Sequence, residues 1–198
     1  VREIMAGLGI RKFNDLIGRR DLIDFNGAEE HWKAHGLDLR KLIVSLEKEK
    51  DETFYNSKEQ NHRLELALDN ELISKSKKAI SDKIKVKISS KIVNTNRTVG
   101  GMLSGVIAKK YGHNGLPKDT INVDFTGNAG QSFGAWLSKG INFNLKGDAN
   151  DYVGKGLSGG RISVSPHETS KIIPENNIIA GNTLLYGAIS GECYLRGV

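Results

Sequence analysis

The segment Gly147–Val164, GDANDYVGKGLSGGRISV, carries the strongest structural signal in this 198-residue chain. Three of its glycines, Gly154, Gly156 and Gly159, match G-x-G-x-x-G, the pattern of a dinucleotide-binding loop. Such a loop follows a strand and opens a helix, whose N-terminus receives the pyrophosphate. Here turn-like polar residues precede the glycines, and RISVSP alternates apolar and polar residues up to Pro166, which predicts a strand. The glycines therefore need an explanation other than a cofactor.

The same glycine pattern recurs through the second half of the chain. The sequences GGMLSGV, GAWLSKG, GKGLSGG and GAISGEC begin at Gly100, Gly134, Gly154 and Gly187, and the first three share G-x-x-L-S. In the second and third copies a glycine, Gly140 or Gly160, stands six residues after the first, and the strand-like runs INFNL and RISVS follow it in register. Similar runs, TINVDF and NNIIA, precede copies of the repeat. The shortest period, twenty residues, fits one coil of a stacked solenoid. The repeat thus predicts a mainly β fold, a parallel β-helix, with corner glycines such as Gly154 and Gly160 at positive φ.

A second motif, GQSFG at Gly130–Gly134, matches the G-x-S-x-G of hydrolases. Asp148, Asp151 and His167 even follow Ser132 in the order of a hydrolase triad. A nucleophile elbow needs a helix after its serine, whereas GAWLSKG reaches another glycine within eight residues of the serine. We therefore interpret the motif as a polar corner of a coil.

The first half of the chain is poor in glycine and predicted to be mostly helical. Residues 1–99 hold five glycines, against eighteen in residues 100–198. Apolar residues recur at helical spacing in four segments, which are 1–9, 12–18, 27–36 and 61–73. Between them, the charged and nearly aliphatic-free segment Glu47–Gln60 is predicted to be an exposed linker.

Two residue types invite a metal or nucleophile assignment. His31 and His35 would share a helix face at the spacing of zinc ligands, but HWKAH lacks the glutamate of a metalloprotease helix. We therefore predict two surface histidines. Cys193 is the one cysteine, which excludes an internal disulfide and any multi-cysteine metal site within this span, and favours a reducing compartment. It is predicted to be a packed side chain.

The net charge of +6 is concentrated in one window. Lys75–Lys91 holds seven lysines against one acid, Asp82. Within this window KIKVKI alternates, which predicts a strand from Lys83 with a solvated lysine face. Interleaved aromatic residues or arginine clusters, which are typical of nucleic-acid modules, are absent from the window, so we predict no nucleic-acid partner. No apolar run is long enough to span a membrane.

Several long segments resemble one family closely. These are HWKAHGLDLRKLI, NHRLELALDNELI, NRTVGGMLSGVIAKKYG, GNAGQSFGAWLSKGINFNLKGDANDYVGKGLSGGRISV and IIAGNTLLYGAISGECYLRGV. Together they resemble the C-terminal region of the glutamate synthase large subunit over nearly the whole chain. The resemblance implies an enzyme that forms two L-glutamate from L-glutamine and 2-oxoglutarate. It also implies a right-handed β-helix domain that braces the other domains and is not catalytic.

The resemblance implies FMN and a 3Fe-4S cluster in the parent enzyme, with FAD as a further candidate, and places their ligands outside this span. No catalytic, cofactor-binding or metal-ligating residue is therefore assigned within it. The implied domains are residues 1–46, the helical end of an FMN-binding α/β barrel domain; 47–82, a linker plus helix; and 83–198, a β-helix truncated at its C-terminus. On this reading the chain is a fragment that is inactive alone.

The electron donor divides the family between ferredoxin and NADPH. The abundance of Lys, Ile and Asn, as in KIVNTN and KIIPENNII, indicates an AT-rich genome and favours ferredoxin and a plastid stroma, with the cytoplasm as the alternative. A different class of protein, a stand-alone β-helix scaffold or interaction module, shares the glycine repeat. The helical first half of this chain distinguishes the two hypotheses, because a stand-alone scaffold would lack it.

Overall fold

The computed structural model describes residues 1–24, 27, 30–43 and 52–197. Within these ranges the chain divides into two compact units, Val1–His62 and Arg63–Val198. No helix of the described residues is both long and apolar enough to cross a membrane.

The first unit consists of short helical turns. Helix α1 covers Arg2–Gly7, which confirms the helix predicted over residues 1–9. The next two predicted helices were too long: single 3-10 turns, Phe13–Asp15 and Trp32–Ala34, stand in their place, although part of 27–36 lies outside the described residues. Their apolar side chains are largely exposed, so no buried face stabilises a longer helix. Two further 3-10 turns cover Arg20–Leu22 and Leu39–Ile43.

Three helices pack at one end of the second unit. They are α2 (Asp69–Lys75), α3 (Lys77–Asp82) and α4 (Gly101–Tyr111). The helix predicted over 61–73 is thus regular only from Asp69, after a 3-10 turn at Leu64–Leu66. The helices contribute five buried side chains to the core, namely Leu72, Ala79, Ile80, Leu103 and Ile107.

The first copy of the repeat is an exception that the sequence did not predict. GGMLSGV begins at the corner residue Gly100, which has φ 99°, but it then continues as helix α4, whereas the other copies do not. The physical reason is the buried carboxylate of Asp69, which accepts the backbone N–H groups of Gly100 and Leu103. These donors would otherwise be unsatisfied at the start of a helix.

Five parallel strands follow one another in sequence order across a single sheet. They are β1 (Val86–Ile92), β2 (Ile121–Ala129), β3 (Ile141–Ala149), β4 (Ser158–Ser165) and β5 (Ser190–Leu195). The runs TINVDF, INFNL and RISVS are confirmed as strands. The run NNIIA forms only an isolated bridge, between Ala149 and Ala180. The lysine-rich strand begins at Val86, because Lys83 ends α3 with φ 58°.

One face of the sheet forms the core. The alternate residues of β2, β3 and β4 that point inward are at most 2% exposed, and they are Ile121, Val123, Phe125, Ile141, Phe143, Leu145, Ile162 and Val164. The rings of Phe125, Phe133 and Phe143 pack with centroids 5.0–5.5 Å apart. Burial of these aromatic and branched side chains supplies the main driving force for stacking the strands.

The register changes by one residue between coils. Ile121 pairs with Ile141, twenty residues on, but Phe143 pairs with Ile162, nineteen residues on. The sequence-based expectation that INFNL and RISVS are in register after Gly140 and Gly160 is therefore wrong by one residue. An unshifted register would align the buried Phe143 with Ser163, because side chains alternate faces along a strand.

A second ladder of backbone hydrogen bonds joins the segments between the strands. The N–H groups of Thr98, Ser132 and Tyr152 each donate to the next segment, with N···O distances of 2.8–3.0 Å. These three residues and Thr183 all have φ between 56° and 64°. Two residues further along, Gly100, Gly134, Gly154 and Leu185 also have positive φ. The corners therefore repeat the same backbone conformation, as expected for Gly154.

Gly160 does not share this conformation. It lies within β4, where its N–H donates to Leu137 O at 3.0 Å, and the positive φ belongs to its neighbour Gly159, at 98°. The prediction of a left-handed corner at Gly160 is therefore wrong by one residue, in line with the shift of register. A Cβ on Gly160 would still lie 2.7 Å from the side chain of Leu137.

Candidate interaction surface

The glycines of the G-x-G-x-x-G motif make room for neighbouring coils. Strand β4 starts at Ser158, so a strand follows the motif, as predicted. A Cβ on Gly156 would lie 2.5 Å from the indole of Trp136, and one on Gly154 would lie 2.7 Å from Leu185. The absence of side chains at these two positions is therefore a packing requirement.

The residues of the hydrolase-like motif are engaged separately. Ser132 occupies a corner with φ 62° and its N–H donates to the backbone oxygen of Asp151 at 2.8 Å. The Asp151 carboxylate accepts from the N–H of Asn182 at 2.7 Å. The ring of His167 lies 2.8 Å from the hydroxyl of Thr169, in an exposed turn. These contacts place the three groups in local turns and do not connect them as a triad.

The histidines are exposed and the cysteine is packed, as the sequence predicts, but the helix face that the two histidines were expected to share does not form. His31 and His35 are exposed and flank a single 3-10 turn, so they do not share a helix face. His31 Nδ1 accepts the N–H of Lys33 at 3.2 Å. Cys193 is half-buried against the core, and this burial raises the pKa of its thiol, which keeps the thiol protonated. Among the described residues, no group of three or more His, Cys, Asp or Glu could hold a metal ion.

The lysine window forms the solvated edge that the sequence predicts. Lys87 and Lys91 point outward from β1, while Ile88 and Ile92 are buried. Lys87 pairs with Asp124 on β2 at 3.1 Å. Lysines on an edge strand also discourage pairing with another sheet.

A row of polar side chains crosses the outer face of the sheet. Asn122, Asn142, Arg161 and Glu192 are paired in successive strands. Asn142 donates to Asn122 at 3.0 Å, and Arg161 Nε donates to Asn142 at 3.2 Å. Arg161 also forms ion pairs with Asp119 and Glu192. Each member of the row thus satisfies its neighbour in the next coil.

A second polar row lies two residues further along the strands, on the same face of the sheet. Asn144 donates to Asp124 at 2.9 Å, and Ser163 donates to Asn144 at 2.7 Å. The hydrogen bond from Asn144 and the ion pair with Lys87 lower the pKa of Asp124. Sequence analysis missed both rows, although polar residues twenty apart, such as Asn122 and Asn142, were a readable signal of a stacked ladder.

A third surface lies on the corners and is mainly aromatic. We call it the corner patch, and it consists of Trp136, Tyr152, Lys155, Leu185 and Tyr186. The Lys155 ammonium lies 5.9 Å from the Trp136 ring centroid and 5.4 Å from that of Tyr152. Tyr152 and Tyr186 pack edge to face with centroids 6.3 Å apart. Trp136, Leu185 and Tyr186 are 50%, 39% and 62% exposed, so the patch presents aromatic surface to solvent.

A shallow polar groove of ≈ 390 Å³ lies near the ends of β2 and β3. Its polar lining comes from Asn94, Asn128, Asp148 and Asn150, and Ile178 stands at its side with 78% exposure. The groove is open and contains a single carboxylate, so its chemistry is that of a surface and not of a catalytic centre.

Comparison with known proteins shows the family to which this chain belongs. The GXGXG motif family matches residues 69–198, which include the corners and all five strands. The chain belongs to the GXGXG motif family. The matched region contains all four copies of the glycine repeat.

Similar proteins match across the whole chain. The glutamate synthase [NADPH] large chain of Bacillus subtilis (strain 168) is 46% identical over 199 residues, covering 100% of this chain. The glutamate synthase [NADH] of Schizosaccharomyces pombe is 44% identical, and the ferredoxin-dependent glutamate synthase 2 of Synechocystis is 41% identical, each again covering 100% of this chain. The chain spans 13%, 9% and 13% of these three relatives, respectively.

Proposed function

We propose that this chain is a non-catalytic, structural portion of a glutamate synthase large chain. The observation that carries the proposal is the identity of 46% across the full chain, which includes the helical first half as well as the repeat. A stand-alone β-helix scaffold would account for the repeat alone. The parent enzyme would form two L-glutamate from L-glutamine and 2-oxoglutarate.

We further propose that the repeat forms a right-handed parallel β-helix. Two features support this arrangement: the five parallel strands lie in sequence order, and the corners between them form a second hydrogen-bonded ladder. A coil of nineteen or twenty residues returns each strand beside its predecessor. Residues 83–198 would form this β-helix, 1–46 the end of an FMN-binding domain, and 47–82 a linker and helix.

The iron–sulfur cluster of the parent enzyme does not fit the residues of this chain. An iron–sulfur cluster is held by several cysteine thiolates, and this chain has one cysteine. We propose that the ligands of FMN and of the 3Fe-4S cluster, and of any FAD, belong to other parts of the large chain. The contribution of this chain to the reaction is then to hold those parts in place.

The electron donor is a separate question. Relatives named for NADPH, NADH and ferredoxin match at 46%, 44% and 41% identity, so similarity alone does not separate the donors. Ferredoxin and a plastid location stay predictions from composition, and relatives named chloroplastic are compatible with them. Turnover measured with reduced ferredoxin and with NADPH would distinguish the two donors.

The structural role is tested in a chimera. The matching region of the Bacillus subtilis large chain is replaced by this sequence, and glutamate formation is measured. Ser132→Ala and His167→Ala in the chimera should change kcat by less than about twofold, because neither group acts in chemistry. A loss of about a hundredfold or more, the size typical of a missing catalytic group, would contradict the non-catalytic role.

A further inference from the structure

Trp136 stands where the two following coils have glycine. Its N–H donates to Lys155 O, and the N–H of Gly156 donates to Tyr186 O in the next coil, so Trp136, Gly156 and Gly187 are equivalent positions. Their φ angles are 53°, 63° and 66°. A left-handed φ costs glycine little but is unfavourable for a bulky side chain. The chain thus keeps tryptophan where its own repeat uses glycine.

The side chain gained at this position is only half-buried. The Trp136 ring covers Gly156 on one side, yet the residue is 50% exposed, far more than a core tryptophan. Around it, Lys155 lies against two aromatic rings and forms no ion pair with any described residue. Tryptophan, tyrosine and a cation in one solvent-facing cluster are the composition of interface centres.

We propose that the corner patch is the surface on which another segment of the same large chain docks. This inference rests on the proposed function, since it takes the remainder of a glutamate synthase as the occupant. The relatives that match are so long that this chain is 13% or less of each, so ample polypeptide exists to cover the patch. Lys155, which has no ion-pair partner in the part of the chain that the structure describes, defines the chemistry of the occupant: an apolar side chain against Trp136 and a carboxylate for the ammonium.

The corner patch and the polar rows differ in whether their charged groups have partners. In the first polar row the charged groups pair within the second unit, as Arg161 does with Asp119 and Glu192. In the corner patch the ammonium of Lys155 has no carboxylate among the described residues, and the docked segment would supply one. Docking also explains why Trp136 keeps an unfavourable φ. The contact between its ring and the docked segment would compensate the backbone strain.

The substitution Trp136→Gly tests the proposal. It restores the residue of the sister coils and removes the docking side chain. In the 198-residue chain the relief of the left-handed φ and the loss of the ring from Gly156 act in opposite directions, so the Tm should change by less than about 4 °C, the shift expected for roughly 1 kcal/mol. In the large chain that contains this sequence, the same substitution should make cleavage by trypsin about tenfold faster. A larger fall of the Tm in the 198-residue chain, or an unchanged rate of cleavage in the large chain, would overturn the proposal, because the ring would then serve the stability of its own unit.

Cross-linking in the same large chain identifies the occupant. A photoreactive p-benzoylphenylalanine replaces Tyr186 in the patch, and Thr126, an exposed residue of β2, is the matched control. The proposal expects cross-links from position 186 to a distant, acid-containing segment of the same polypeptide. Cross-links to a second copy only, to a separate protein only, or at no more than the Thr126 level would each overturn it. A large chain that cross-links as expected but makes no glutamate would refute the proposed function and leave the docking surface standing.

Discussion

The carboxylate of Asp69 accepts the backbone N–H of Gly100 through both oxygens, with both N···O distances 3.0 Å, and this contact joins two segments 31 residues apart. Asp69 is 3% exposed, and a third hydrogen bond comes from the N–H of Leu103 at 2.9 Å. Burial raises the pKa of this carboxyl, and the three hydrogen bonds act in the opposite direction. The contact fixes the start of α4 against α2.

The first prediction concerns this carboxylate. Asp69→Ala leaves the N–H groups of Gly100 and Leu103 buried without a partner, so the free energy of unfolding should fall by roughly 3 kcal/mol. Asp69→Asn retains one acceptor oxygen and should lose less. Urea denaturation followed by circular dichroism measures both. Equal stability of the Ala variant and the wild type would show that α4 does not depend on this cap.

Stability should depend on pH through Asp124. Its pKa is lowered in the folded state, mainly by the hydrogen bond from Asn144 and then by Lys87. The stabilisation is therefore present above the ordinary pKa of 3.8 and is lost as the pH falls through the lower folded value. The Tm, measured between about pH 6 and about pH 2, should fall less steeply in Asp124→Asn than in the wild type. Identical slopes would exclude a contribution from this row.

Two glycine substitutions should have opposite effects. A Cβ on Gly147 would overlap the backbone oxygen of Gly127, and Gly147 has φ 151°, so Gly147→Ala should destabilise by well over about 1 kcal/mol. Gly105 lies inside α4 with open space around it, so Gly105→Ala should stabilise by about 0.5–1 kcal/mol. Thermal unfolding measures both. Unchanged stability of the Gly147→Ala variant would contradict the close stacking of β2 and β3.

The hydroxyl of Ser76 provides a test of the helical end. It is buried between α2 and α3 and has no hydrogen-bond partner among the described residues. Ser76→Ala removes an unsatisfied polar group without leaving a large cavity, so the free energy of unfolding should rise by about 1 kcal/mol. Chemical denaturation gives the value. A clear loss of stability would mean that the hydroxyl finds a partner in solution.

The repeat made the sheet predictable from sequence. Alternation in INFNL and RISVS marks the buried residues Phe143, Leu145, Ile162 and Val164, because only one face of each strand can enter the core. The one-residue shift of register was not predictable from glycine spacing. It is set by which side chains must face inward, a property of the pairing and not of the corner.

Long-range contacts account for the other differences. GGMLSGV has the same signature as the corner segments, and only the carboxylate of Asp69, far away in sequence, turns it into the start of a helix. The first unit shows the opposite case, in which helical spacing without a buried face yields single turns. The corner patch was missed because Trp136 differs from the glycines at the equivalent positions, whereas a comparison of repeats looks for residues that the copies share.

The measurement that tests the central claim most directly is glutamate formation by the purified large chain that contains this sequence. Glutamine and 2-oxoglutarate are supplied, with reduced ferredoxin and NADPH in separate reactions, beside the 198-residue chain alone. Our account predicts two glutamates per glutamine from the large chain with one of the donors, and none from the 198-residue chain. A folded large chain that forms no glutamate with either donor, or turnover by the 198-residue chain itself, would contradict it.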